Sequence, residues 1–75
     1  MPKVPALTSR KIIQILKRAG FVEDRQKGSH LIMFNPITKA RTVIPIHGRK
    51  NIKKSLLHGI ISDTKMTTSE FLKLL

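Results

Sequence analysis

The chain has 75 residues, 40% of them apolar and 25% charged, which suits one small globular domain over residues 1–75 and leaves no room for a second. It has no Cys, which excludes disulfides, zinc–thiolate sites and thiol nucleophiles, and no Trp or Tyr, so no large aromatic platform for stacking bases is expected. Fifteen Lys and Arg against four Asp and Glu give a net charge of +11, more than a solubility surface calls for and a strong attraction for a polyanion.

Residues 1–7, with Pro2 and Pro5, read as an extended arm. Thr8 or Ser9 can cap a helix, because a short hydroxyl accepts from the unpaired first-turn amides. Ile12, Ile13, Ile15, Leu16 and Ala19 follow helical spacing, with Arg10, Lys11, Gln14, Lys17 and Arg18 on the opposite face. Gly20 is a natural stop, so the first helix is placed at about 9–19. Phe21 to Gln26 reads as a short strand, followed by a turn at Lys27-Gly28. His30 to Phe34 is a dense apolar run and reads as a central strand. Asn35 to Ala40 is a turn, and the β-branched Thr42 to Ile46 is a third strand. Pro45 cannot donate to a ladder, so it belongs on an edge strand or with its N–H side facing out.

After the basic loop His47-Gly48-Arg49-Lys50-Asn51, the residues Ile52, Leu56, Leu57, Ile60 and Ile61 recur at helical spacing, with Lys54, His58 and Ser62 on the other side. Gly59 inside this helix costs about 1 kcal/mol relative to Ala, which suggests close backbone packing. Thr67 and Glu70 form a plausible capping box for a short terminal helix from Ser69 to Leu74. Short connections make the three strands an antiparallel meander, and the whole an α+β fold with helices on one sheet face and the other open.

The apolar runs fall short of the ~20 residues that span a bilayer, and the segment MPKVPALTSR lacks the apolar stretch of a secretion signal. A cytoplasmic protein with no membrane partner is expected.

Few residues can carry chemistry. Glu23 and Asp24 are adjacent, so on a strand they diverge, and Asp63 and Glu70 lie near helix ends. The His spacing (30, 47, 58) matches no compact metal motif, no phosphate-cradling Gly loop is present, and neither a metal nor a small-molecule cofactor is expected. His58 reads as a surface residue of the second helix. His30 opens the central strand after Gly28, and His47 ends the third strand before the basic loop. A turn pairing Asn35 with Arg41 sets Ile46 opposite His30 and Ser29 opposite His47; a slip of one residue sets the two His face to face. Either way both lie at one sheet end beside Lys27, Arg49 and Lys50, in a cationic corner whose imidazoles can exchange a proton near neutral pH. Spacing alone is equally satisfied by ordinary strand-end histidines. RNA carries its own nucleophile, so a site with one or two His and nearby cations suffices to cleave it without a metal.

The combination of parts resembles the HicA toxin family of bacterial and archaeal toxin–antitoxin systems. The resembling parts are the helix ending at Gly20-Phe21, Gly28-Ser29-His30 opening a strand, the strand Thr42-Val43-Ile44-Pro45-Ile46-His47-Gly48, and the helix from about Lys54 followed by Thr68-Ser69-Glu70-Phe71-Leu72. The resemblance implies a fold like that of double-stranded-RNA-binding domains, an α-β-β-β-α order with a three-stranded antiparallel sheet. It further implies a ribosome-independent mRNA interferase that a HicB-type antitoxin neutralises. It makes His30 the catalytic residue and matches Gly28 to the glycine before it; Lys27, Gly28, Ser29, His47, Arg49 and Lys50 are the candidate RNA-binding residues around it. Many members carry two His after the Ser, where this chain has His30-Leu31. Two further readings stand beside an endoribonuclease: a non-catalytic double-stranded-RNA-binding module reading shape, and a small DNA-binding protein using charge alone.

Overall fold

The computed structural model describes residues 3–75, so the first two residues of the expected N-terminal arm lie outside it. The order is α1 (Ser9–Arg18), β1 (Val22–Lys27), β2 (His30–Phe34), β3 (Arg41–Pro45), α2 (Lys54–Asp63) and α3 (Thr68–Leu72). The three strands form one antiparallel sheet in the order β1-β2-β3, with β2 central and Pro45 on an edge strand. This is the α+β architecture the pattern implied.

Local chemistry sets the helix ends. The Thr8 hydroxyl accepts from the Lys11 amide at 3.2 Å and starts α1, and Lys17 and Arg18 sit in its last turn, where cations suit the helix dipole. Thr67 and Glu70 close a reciprocal capping box on α3, with bonds of 3.1 and 2.8 Å. Apolar spacing then decides what is buried. Ile12, Ile15 and Leu16 from α1 meet Leu57, Ile60 and Ile61 from α2, Leu31 and Met33 from β2, Ile44 from β3, and Phe71 from α3. Val4, Leu7 and Ile52 also enter this core, so the arm is a packed element; the Ile52 amide donates to the Leu7 carbonyl at 2.8 Å.

Both long helices lie against β3, and β1 stays outside their cover with all six residues exposed. Phe21, expected to enter the first strand, is buried just before it, whereas Val22 is 50% exposed on it.

The β2–β3 register differs from both expected ones. His30 lies opposite Pro45, and Phe34 opposite Arg41. Two causes act together. Directly opposed residues share a sheet face, and the buried pairs Leu31–Ile44 and Met33–Thr42 both satisfy the core in this register. The turn is also closed one residue earlier than expected, between Asn35 and Ala40, whose backbone bond is 2.8 Å. Asn35 makes that turn: its Oδ1 accepts from the amides of Ile37 and Thr38, and its Nδ2 donates to the Ala19 carbonyl at the end of α1. The expectation for Gly59 also fails. A Cβ there would meet nothing within 4 Å, so no close packing requires glycine. Leu56, assigned to the apolar face of α2, is 42% exposed.

Candidate active site

The β1–β2 hairpin positions the corner that carries His30. Lys27 and His30 are the last paired residues, joined through Gly28 and Ser29. Gly28 has φ +56 with open space where a Cβ would stand, so the tight turn selects glycine for its backbone conformation and not for room. The Gln26 side chain donates to the Gly28 carbonyl at 3.1 Å, and the Ser29 carbonyl accepts from the Ile46 amide at 2.6 Å. That second bond ties the hairpin tip to the end of β3.

Alternation in the sheet sorts the side chains. Leu31 and Met33 point to the core, so His30, Ile32 and Phe34 line the open face. The pairing puts Lys27 and the buried Pro45 beside His30, and Arg25 and Val43 beside Ile32 on the open face. Arg25 was not among the residues singled out from the sequence; the period-two pattern from Lys27 was the available signal. Asp24 falls at an irregularity between Glu23 and Arg25 in the β1–β2 ladder.

Lys27, Gly28, Ser29 and His30 are therefore contiguous at one sheet end, and all four are exposed. His47, Arg49 and Lys50 follow β3 at the same end and are exposed too, but His47 lies beyond the ladder. It faces neither Ser29 nor His30, because Ile46 takes the place opposite Ser29. The Lys50 amide donates to the His47 carbonyl at 3.1 Å, and Gly48 has φ +62, so the basic loop is a defined turn. His58 is exposed on α2, as expected.

The acids are all engaged elsewhere. Glu23 pairs with Lys17 at 2.9 Å and Asp24 with Arg41 at 2.6 Å. Asp63 accepts from the Thr42 hydroxyl, and Glu70 is held in its capping box. Hydrogen bonds from Thr67, the backbone one foremost, hold the Glu70 carboxyl below its usual pKa. The corner around His30 thus has cations and an imidazole, and no carboxylate bonded to it among the described residues. Among those residues no three His, Asp or Glu side chains converge as metal ligands would, and no helix is long and apolar enough to cross a membrane.

Fold and corner together define a small, strongly basic α+β domain that presents an exposed histidine beside an open sheet face, among cations that enter no ion pair among the described residues. The family model describing the HicA toxin of bacterial toxin–antitoxin systems matches residues 9–66, and the chain belongs to that family. It is the toxin component of such a system. Comparison with curated proteins returned no match.

Proposed function

We propose that this chain is a metal-independent endoribonuclease that cleaves mRNA, with His30 as its catalytic residue and a HicB-type antitoxin as its inhibitor. The observation that carries the reading is the placement of His30, exposed at the first position of β2 directly after the Gly28 turn, with Lys27 paired across from it. Family membership supports the same reading.

In this mechanism His30 takes the proton from a ribose 2′-hydroxyl. The 2′ oxygen bonds to phosphorus, the bond to the 5′ oxygen breaks, and that oxygen takes up a proton from water. The products are a 2′,3′-cyclic phosphate and a 5′-hydroxyl end. Lys27, Arg49 and Lys50 bind phosphates and offset the charge that builds on the phosphoryl oxygens. Gly28 and Ser29 fix the turn that aims the imidazole, and His47 borders the RNA path beyond the ladder. With every carboxylate engaged elsewhere, the imidazole works without the acidic partner that orients a triad histidine. The antitoxin is acidic on its contacting surface and covers His30, since opposite charge speeds association and occlusion blocks substrate.

Incubating the purified protein with RNA in EDTA and analysing the fragments on a gel tests the reading. Cleavage by the wild type and its loss in folded His30→Ala are expected. RNA binding without cleavage by the wild type would leave a non-catalytic RNA-binding module in its place.

A further inference from the structure

A cleft of about 330 Å³ opens between α1 and the end of β3, on the helix side of the sheet. One wall is a stripe of α1, Arg10, Ile13, Gln14 and Lys17, which the i, i+3, i+4, i+7 spacing puts on one face. The other wall is Ile46 and Gly48. Ile13 and Ile46 are only partly buried, so apolar surface stays open to solvent in the middle, with the Arg10 cation on one side and Lys17, paired with Glu23, on the other. The cleft lies at the same sheet end as the candidate site but on the other face, with Ile46 tied to the hairpin tip through its amide bond to the Ser29 carbonyl, one residue from His30.

We propose that this cleft is a subsite for one unstacked base of single-stranded RNA. A nucleotide combines a flat, weakly polar base with an anionic backbone, and the cleft offers a matching apolar slot with the Arg10 cation at its rim. Its volume is at the lower end of the range that takes small ligands, about 300–1,000 Å³, which suits one nucleoside and not a stack. A base in an intact duplex is stacked on both sides and cannot enter, so the slot selects single strands. Gln14 supplies an amide, donor and acceptor together, to meet the base edge. The inference rests on RNA being the ligand, as the ribonuclease reading requires, but not on cleavage.

The test is binding of a short mixed-sequence 2′-O-methyl oligoribonucleotide, which lacks the nucleophilic hydroxyl, against its fully abasic counterpart. The wild type should bind the base-bearing strand about 10-fold more tightly, the scale of one buried apolar contact. Ile46→Ala should lose that preference while the dependence of affinity on salt stays unchanged, because an apolar contact releases no counterions. Arg10→Ala should weaken both strands alike and reduce the log–log salt slope by about 0.7, the single-strand value for one phosphate contact. Should Ile46→Ala fail to fold, photocrosslinking of a 4-thiouridine oligomer to the wild type gives the second readout, with the crosslink expected on the peptide holding Ile13 to Lys17. Equal affinity of the wild type for base-bearing and abasic strands overturns the proposal, and so does full discrimination by folded Ile46→Ala or a crosslink confined to other segments. Base discrimination by a protein that cuts no RNA would instead overturn the ribonuclease reading and leave the subsite standing.

Discussion

The two ends of β2 face opposite demands. At the Phe34 end, polar groups are tied down. Asn35 is buried and bonds three backbone groups, Arg41 is held by Asp24, and the Arg41 guanidinium lies 4.8 Å from the centre of the Phe34 ring. At the His30 end, Lys27, His30, Arg49 and Lys50 are exposed, and the ion pairs among the described residues involve none of them. A chain with four acids and fifteen basic residues cannot pair every cation, so where the acids go decides which cations stay free. Here they stabilise one helix cap and the turn end of the sheet, and the hairpin end keeps its charge for a polyanion. One end stabilises; the other is free to bind.

The sharpest way to break this division is at His30. His30→Ala should lower RNA cleavage by at least about 10²-fold, the usual contribution of a general base, and stop growth inhibition in cells. Its unfolding free energy should stay within about 0.5–1 kcal/mol of wild type, as for other exposed sites. The same change at His58 should alter neither property. Wild-type cleavage by folded His30→Ala would move the chemistry away from this corner.

Asn35→Ala is the mirror experiment at the other end. It removes the acceptor of the Ile37 and Thr38 amides and the donor to the Ala19 carbonyl in a buried place. A loss of about 1–3 kcal/mol in urea unfolding is expected, with cleavage per folded molecule unchanged. A folded, fully stable variant with impaired cleavage would show that the turn end takes part in catalysis.

Charge at the hairpin end should act through phosphates. Arg49→Ala and Lys50→Ala should each weaken binding of all RNA sequences about equally and lower the log–log salt slope by about 0.7. Arg41→Gln, at the paired end, should leave that slope unchanged and cost stability below about 1 kcal/mol, because the Arg41–Asp24 pair is exposed to solvent. A slope change at Arg41 as large as at Lys50 would erase the distinction between paired and free cations.

How far the residues alone disclose this arrangement depends on whether the deciding force is local. The start of α1, the capping box at Thr67 and Glu70, and the span of β2 follow from short-range spacing and hydrogen-bonding chemistry, and the structure has them where the pattern puts them. The β2–β3 register does not, because it hangs on where Asn35 closes its turn. The run Thr42 to Ile46 is β-branched or apolar throughout, so the sequence does not show that Thr42 and Ile44, and not Val43, face the core with Leu31 and Met33. Leu56 misled because helical spacing shows which residues share a face, not how wide a stripe the core covers, and Gly59 because the cost of a helical glycine does not show that a neighbour packs against it. The candidate site was legible as a neighbourhood, since Lys27 to His30 and His47 to Lys50 flank the same sheet end whichever register holds. The cleft between α1 and Ile46 was not, because it joins residues more than a strand apart in the chain through tertiary packing.

The smallest effect concerns Glu70, the acid farthest from the binding end in role. Its carboxylate accepts from the Thr67 amide at 2.8 Å, and that bond is the main reason its pKa lies below the ordinary carboxylate value in the folded chain. A folded-state pKa depressed in this way means the ionised form favours folding. The contribution is complete above the unfolded-state pKa and is lost as pH falls through the folded-state value. Stability should therefore decline on acidification below about pH 4.5 in part through this group. Glu70→Gln keeps a side chain that can still close the capping box but removes the titration. Its unfolding free energy should show a shallower fall with pH across that acid range than the wild type, while RNA affinity at neutral pH changes little, because the removed charge was engaged in a cap and not in holding a cation at the hairpin end. Parallel acid profiles for the two proteins would mean that the cap draws nothing from the charge. A marked gain in RNA affinity would mean that Glu70 had been screening the binding surface, and the separation between stabilising acids and free cations would then fail at its weakest point.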